Sequence, residues 1–163
     1  MSLHTYQFDH IHLATDHAGL EHKNAVQEWL QSEGFSVTDF GAFTLNPEDD
    51  FPTFISQATR IVSQYPHQAA IIFGGSGNGE AMLANRFPHV RAAVYYGGPE
   101  EIVKLSRQHN DSNVLSIGAR FVDIDTTKRV VWDWLHTPRD ESEKYFRRNQ
   151  QIAHITKQIR PLE

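Results

Sequence analysis

Apolar positions fall into two alternating patterns along the chain. Short apolar runs of strand length recur at Ile11–Ala14, Phe35–Phe40, Ala69–Ile72, Arg91–Tyr96 and Val114–Ile117. Between them, apolar residues return every three or four positions, the spacing of one helix face. Ala25, Val26, Trp29 and Leu30 form the first such stripe, and Phe54, Ala58, Ile61 and Val62 the second, within a helix predicted over 53–65. Further helices are predicted from Ala81, over 99–108, over 126–135 and over 141–159, with 136–140 as a connector. Gly34 sits where the first helix should end in a left-handed residue, and 41–52 carries the turn residues and acids of a loop. No repeat, low-complexity tract or interdomain linker interrupts this order, so the 163 residues are expected to form one domain.

Strand–helix alternation predicts an α/β protein with a parallel sheet covered by helices on both faces. Ligands of such sheets bind at the carboxyl ends of the strands. Four segments there are candidates: Asp16-His17, the run Gly74-Gly75-Ser76-Gly77-Asn78-Gly79-Glu80, Tyr96-Gly97-Gly98, and Gly118-Ala119-Arg120. The glycine run is the most informative. A strand, a glycine turn and a helix N-terminus can cradle an anion or oxyanion with backbone N–H groups. Gly74 and Gly79 have P-loop spacing, but Glu80-Ala81 follows where lysine and Ser/Thr belong, and a carboxylate there repels a terminal phosphate. Gly75, Gly77 and Gly79 also miss the dinucleotide spacing, and the turn follows the third strand rather than the first. Glu80 in a first helical turn gains from the helix dipole, which favours its ionised form and suits a base. A purely structural role for it remains open on these grounds.

Composition narrows the classes. The formal charge of −5 disfavours nucleic acid as a partner. No apolar run approaches the roughly 20 residues that span a bilayer, and no signal pattern opens the chain, so neither a membrane nor secretion is expected. Cysteine is absent, which excludes disulfides, thiolate metal sites and a cysteine nucleophile and is compatible with a cytoplasmic protein. Ten histidines are present, and surface or structural roles are expected for His4, His10, His12, His22, His67, His89, His136 and His154. Asp16 can serve as a helix cap. His109, in Arg107-Gln108-His109-Asn110-Asp111, can serve as a dipole partner. Lys144 and Arg148 share a helix face, as a solvated pair or an anion site.

Taken in order, these stretches resemble the LacAB/RpiB family of sugar-phosphate isomerases, most closely its type B ribose-5-phosphate isomerases. The match runs through Asp16-His17-Ala18-Gly19 with Lys23, Asp50-Phe51-Pro52, the Gly74–Glu80 turn, Ala84-Asn85-Arg86, 106–111, Asn113-Val114-Leu115 and Gly118-Ala119-Arg120, covering about 11–152. The resemblance implies a Rossmann-like three-layer α/β/α sandwich around a five-stranded parallel sheet. It also implies aldose–ketose isomerisation without metal, nucleotide or other cofactor, on a small sugar phosphate, at the interface of a homodimer or a dimer of dimers. Many members begin the turn with cysteine. This chain has Gly74 there and matches the subgroup reading G-G-S-G-N-G-E, in which the closing glutamate is the base.

By that resemblance Glu80 shuttles the C1/C2 proton, while Ser76 and the backbone at Gly75, Gly77 and Gly79 stabilise a cis-enediolate. His109 opens the furanose ring from the partner subunit, Asp16 moves protons among hydroxyls, and Asn110 holds one. His17, Arg120 and Arg148 grip the phosphate, with Lys144 where arginine is usual. Phe51 stands in place of tyrosine and Tyr145-Phe146 in place of a His-Gln pair, changes able to reshape the sugar pocket, whose far end 41–52 and 95–99 are expected to line. Ribose 5-phosphate is the first substrate this implies. Six-carbon aldose 6-phosphates such as those of allose or galactose, and a non-catalytic sugar-phosphate sensor, stand as alternatives.

Overall fold

The computed structural model describes residues 7–159; the predicted site residues all fall within them, and His4 lies outside. Five strands form one sheet in the order β2-β1-β3-β5-β4, with every neighbouring pair parallel. They are β1 (His10–Thr15), β2 (Val37–Asp39), β3 (Gln68–Gly74), β4 (Ala92–Tyr95) and β5 (Val114–Gly118). The helices are α1 (Leu20–Ser32), α2 (Phe51–Gln64), α3 (Asn78–Ala84), α4 (Glu101–Asn110), α5 (Ile124–His136) and α6 (Glu143–Ile159), with a 3₁₀ turn at His17–Gly19 before α1. The predicted elements are all present. Most boundaries move by one to three residues; the changes nearest the later argument are that β2 shortens, α2 starts at Phe51, and α3 already includes Asn78. Gly34 ends α1 with φ +89°, as its position predicts.

Alternation along β3 explains the three layers, because successive side chains leave a strand on opposite faces. Ala69, Ile71 and Phe73 meet α1, α4 and α5 through Val26, Leu30, Val103, Val130 and Trp134. Ala70 and Ile72 meet α2 and α3 through Ile55, Ala58, Val62 and Ala84. The three central strands β1, β3 and β5 are therefore buried on both faces and read as continuous apolar runs. Helix α6 is different. It packs on α4, buries none of its own residues, and leaves Phe146, Ile152, Ile155 and Ile159 exposed. No helix of the described residues is long and apolar enough to cross a membrane.

The strand order places the functional edge. The chain leaves β1 toward β2 and later leaves β3 in the opposite direction toward β5 and β4. That reversal opens a crevice beyond the carboxyl ends of β1 and β3. Asp16 follows β1 and the glycine turn follows β3, so both border the crevice. Beneath it Lys23, fully buried, donates to Asp39 Oδ2, and Asp39 Oδ1 accepts the Gly41 N–H at 2.8 Å. This ion pair fixes the start of the loop that runs from β2 to α2.

Candidate active site

Glu80 lies in the first turn of α3, and its side chain folds back over the end of β3. Gly74 makes that possible. A Cβ on residue 74 would stand 1.9 Å from Glu80 Oε1 and 2.1 Å from its Cδ. The carboxylate thus occupies the space that any side chain at 74 would need. Gly77, at φ +79°, turns the chain into α3, and its carbonyl is held by Ser116 Oγ at 2.7 Å. Beside the turn, the N–H groups of Ala119 and Arg120 donate to the carbonyls of Gly74 and Gly75 at 2.8 and 3.1 Å. The backbone N–H groups of Gly75, Ser76 and Gly77 find no acceptor among the described residues. Ser76 Oγ accepts the Asn78 N–H at 3.2 Å, which leaves the hydroxyl proton to donate elsewhere. An oxyanion resting on this turn would meet a set of unpaired donors.

Electrostatics correct one expectation. The helix N-terminus was expected to hold Glu80 ionised, yet its acidity is weaker than an ordinary glutamate's, with the pKa raised. Burial is the largest cause, since Glu80 is only 5 % exposed, and the nearby Asp16 carboxylate pushes the same way. Its own backbone N–H opposes both and is outweighed. A carboxylate moved toward neutral pH is better matched to proton transfer than an ordinary one.

Asp16 is buried and accepts the Ala18 N–H at 2.9 Å, so its capping role is real and places it beside Glu80. His17 donates its backbone N–H to Asp49 Oδ1 at 3.1 Å, and its Nδ1 lies 2.6 Å from the same oxygen. The exposed Arg120 brings its guanidinium over Gly75, where a Cβ would be 3.1 Å from Nη1. Phe51 lies over Gly79, whose Cβ would be 3.0 Å from the ring, and so backs the turn from the α2 side. The structure therefore brings together Asp16, His17, Gly75, Ser76, Gly77, Gly79, Glu80 and Arg120. Asp49 joins them unanticipated: in the run Glu48-Asp49-Asp50 no local signal separates the three acids. Asp16, His17 and Asp49 hold ligand-type atoms within 4.8 Å of one another. Nδ1 and Oδ1 already engage each other and Asp16 holds the Ala18 N–H, so the trio is a hydrogen-bonded cluster rather than a built metal site.

His109, Asn110, Lys144 and Arg148 form a second group elsewhere. His109 and Asn110 end α4 just before β5 begins, at the opposite edge of the sheet from Glu80. Five strand residues at about 3.3 Å each put these edges roughly 16 Å apart. His109 stacks on Tyr145, with ring centroids 4.3 Å apart and planes inclined by 12°, and Asn149 Nδ2 donates to the His109 carbonyl at 3.2 Å. This ties α6 to the end of α4. Lys144 and Arg148 are exposed on α6, with no ion-pair partner among the described residues. One chain thus carries two separate groups: acid, turn and Arg120 at one edge, histidine and two cations at the other. Among the other described histidines, His10, His12, His22, His136 and His154 bond within the fold through their rings, as with His22 Nε2 to the Val122 carbonyl at 2.6 Å and His12 Nε2 to Gln68 Oε1 at 2.6 Å.

Comparison with known proteins agrees with this geometry. Residues 11–152 match the family model described as Ribose/Galactose Isomerase. A ribose-5-phosphate isomerase B of Mycolicibacterium paratuberculosis is 35% identical over 139 residues, which cover 85% of this chain and 86% of the relative. The Escherichia coli ribose-5-phosphate isomerase B is 34% identical over 120 residues, covering 74% and 78%. The crystal structure of ribose-5-phosphate isomerase B from Mycoplasma genitalium with bound ribulose-5-phosphate superposes with a TM-score of 0.86 at 32% identity, over 91% of this chain and 96% of that one. With a shared five-stranded parallel sheet and a match across nearly its whole described length, this chain belongs to the ribose/galactose isomerase family.

Proposed function

We propose that the protein interconverts ribose 5-phosphate and ribulose 5-phosphate, with Glu80 as the base. The observation that carries this reading is the Glu80 carboxylate, buried over Gly74 with weakened acidity, next to a turn whose N–H groups lack acceptors. Relatives named ribose-5-phosphate isomerase B and a structural neighbour with bound ribulose-5-phosphate support the substrate. Ionised Glu80 takes the proton from C2 of the open aldose and returns it to C1, while the O2 hydroxyl proton passes to O1, a transfer assigned to Asp16. Between the two steps negative charge collects on O1 and O2, where the Gly75–Gly77 N–H groups and the Ser76 hydroxyl can donate. Each such donor is worth roughly 3–4 kcal/mol in the transition state. A panel of five- and six-carbon aldose phosphates tests the substrate: ribose 5-phosphate should give the highest kcat/KM, and a six-carbon sugar turning over faster would reassign it.

The two separate groups support a homodimer, since ring opening by His109 requires that residue at the crevice of another copy. The exposed apolar face of α6 and an adjoining groove of about 700 Å³ that reaches Asn110 fit such a surface. In a two-fold dimer, Glu80→Gln and His109→Ala subunits rebuild one intact site when mixed. Two inactive preparations exchanged together should then recover up to about a quarter of wild-type activity. No recovery after demonstrated subunit exchange would place both groups on one chain.

The phosphate is assigned to His17 and Arg120 of one copy, with Lys144 and Arg148 of the other. Arg148→Ala should raise KM about tenfold or more with little change in kcat, because an anchor on the non-reacting end binds ground and transition states alike. Steady-state kinetics decide this, and a kcat loss at constant KM would contradict it. Lys144 keeps the charge of the family arginine but presents a point donor rather than a fork. A cytoplasmic setting fits the substrate class and the lack of cysteine.

A further inference from the structure

Asp49 holds a buried carboxylate in an unusual state. Its side chain is 8 % exposed, and both its side-chain hydrogen bonds among the described residues fall on a single oxygen: His17 N–H at 3.1 Å and His17 Nδ1 at 2.6 Å. The other oxygen, Oδ2, is buried with no hydrogen-bond partner among the described residues. Leaving such an oxygen unpaired costs stability, so a residue serving only the fold should not be arranged this way. Among the described residues the whole side-chain engagement of Asp49 is with one histidine. A carboxylate on Nδ1 fixes the ring's orientation and its tautomer, which leaves Nε2 as the free nitrogen. Among the described residues Nε2 has no partner, and His17 follows Asp16 at the carboxyl end of β1, on the crevice.

We infer that Asp49 is a positioning residue, acting through His17 to present Nε2–H to the phosphate of the substrate. The inference rests on the isomerase reading above and assigns a role within its phosphate site. Nδ1–H is held by Asp49, so a phosphate oxygen facing Nε2 needs a proton there as well. The resulting imidazolium lies between two anions, each stabilising it. Asp49 never touches the sugar. Its carboxylate keeps the ring from rotating and supports its positive charge when phosphate arrives. The loop bearing Asp49 begins at the Lys23–Asp39 pair, where Asp39 also accepts the Gly41 N–H.

The test is a double-mutant cycle read by calorimetric binding of inorganic phosphate and by steady-state kinetics. Asp49→Ala should weaken phosphate binding and raise KM for ribose 5-phosphate, each by about tenfold, with kcat within about twofold of wild type. Asp49→Asn keeps an acceptor oxygen without the charge and should recover part of the loss. In a His17→Ala background, Asp49→Ala should cost nothing further, because residues acting as one unit are not additive. The inference is overturned if the two losses add, or if Asp49→Asn retains wild-type affinity and KM. It is also overturned if the effect falls on kcat alone. Phosphate binding is measured without turnover, so a wild-type protein that binds phosphate but does not isomerise the sugar would sink the isomerase reading while leaving the Asp49–His17 result intact.

Discussion

Glu80→Gln is expected to lower kcat by about a thousandfold, since the amide fills the same space over Gly74 but cannot accept the C2 proton; general base catalysis alone is worth 10²–10⁴. Phosphate affinity should stay within about twofold, because the assigned phosphate groups are His17, Arg120, Lys144 and Arg148. The wild-type pH profile carries the same information. Glu80 must be ionised to act, and burial raises its folded pKa above that of an ordinary glutamate. The acid limb of kcat/KM should therefore lie at higher pH than for an ordinary glutamate and should vanish from the residual rate of Glu80→Gln. The effect on stability has the opposite sign to that of a paired acid. With the pKa raised by folding, the native chain binds more protons than the unfolded chain between the two values. Stability is then lost as pH rises through the folded pKa, so Glu80→Gln should melt no lower than wild type at neutral pH. A variant that keeps near-normal turnover would remove Glu80 from its role, and one that melts far lower would mark its contacts as structural.

Gly74→Ala should cost at least about a hundredfold in kcat with little loss of fold. A methyl group there would sit 1.9 Å from Oε1 and 2.5 Å from Oε2, so the carboxylate must swing away. The displaced atoms are the end of a flexible side chain, and the backbone can remain in place. A displacement of about 1 Å is enough to cost 10²-fold when a group must reach its reacting atom. The expected signature is a kcat defect with a preserved melting temperature and preserved phosphate binding. Wild-type kcat in Gly74→Ala would show that Glu80 works from elsewhere.

The fold was legible because it depends on local periodicity. Continuous apolar runs such as Ala69–Ile72 can only be doubly covered strands, and helix stripes such as Phe54, Ala58, Ile61 and Val62 fill the gaps between them. Boundaries moved where side chains on another element decide the end, as at Phe51, whose ring rests on Gly79. Most of the crevice was legible for the same reason: a parallel sheet brings every post-strand loop to one edge. Two features depend on tertiary cover that no local signal carries. Glu80 read as a dipole-stabilised anion, whereas burial and Asp16 push it the other way. Asp49 was indistinguishable from its acidic neighbours until the loop placed it against His17. The separation of His109 from Glu80 also follows from topology, since the end of α4 must precede β5 at the far edge.

In the proposed reaction a proton passes through a protein carboxylate by way of an enediolate. Running the reaction to equilibrium in D₂O and following the sugar by proton NMR tests it most directly. Wild-type protein should interconvert ribose 5-phosphate and ribulose 5-phosphate and place deuterium at C2 of the aldose and C1 of the ketose, while Glu80→Gln at equal concentration should leave the sugar unlabelled over the same interval. Interconversion that leaves both carbons fully protonated, or labelling that proceeds undiminished in Glu80→Gln, would contradict it.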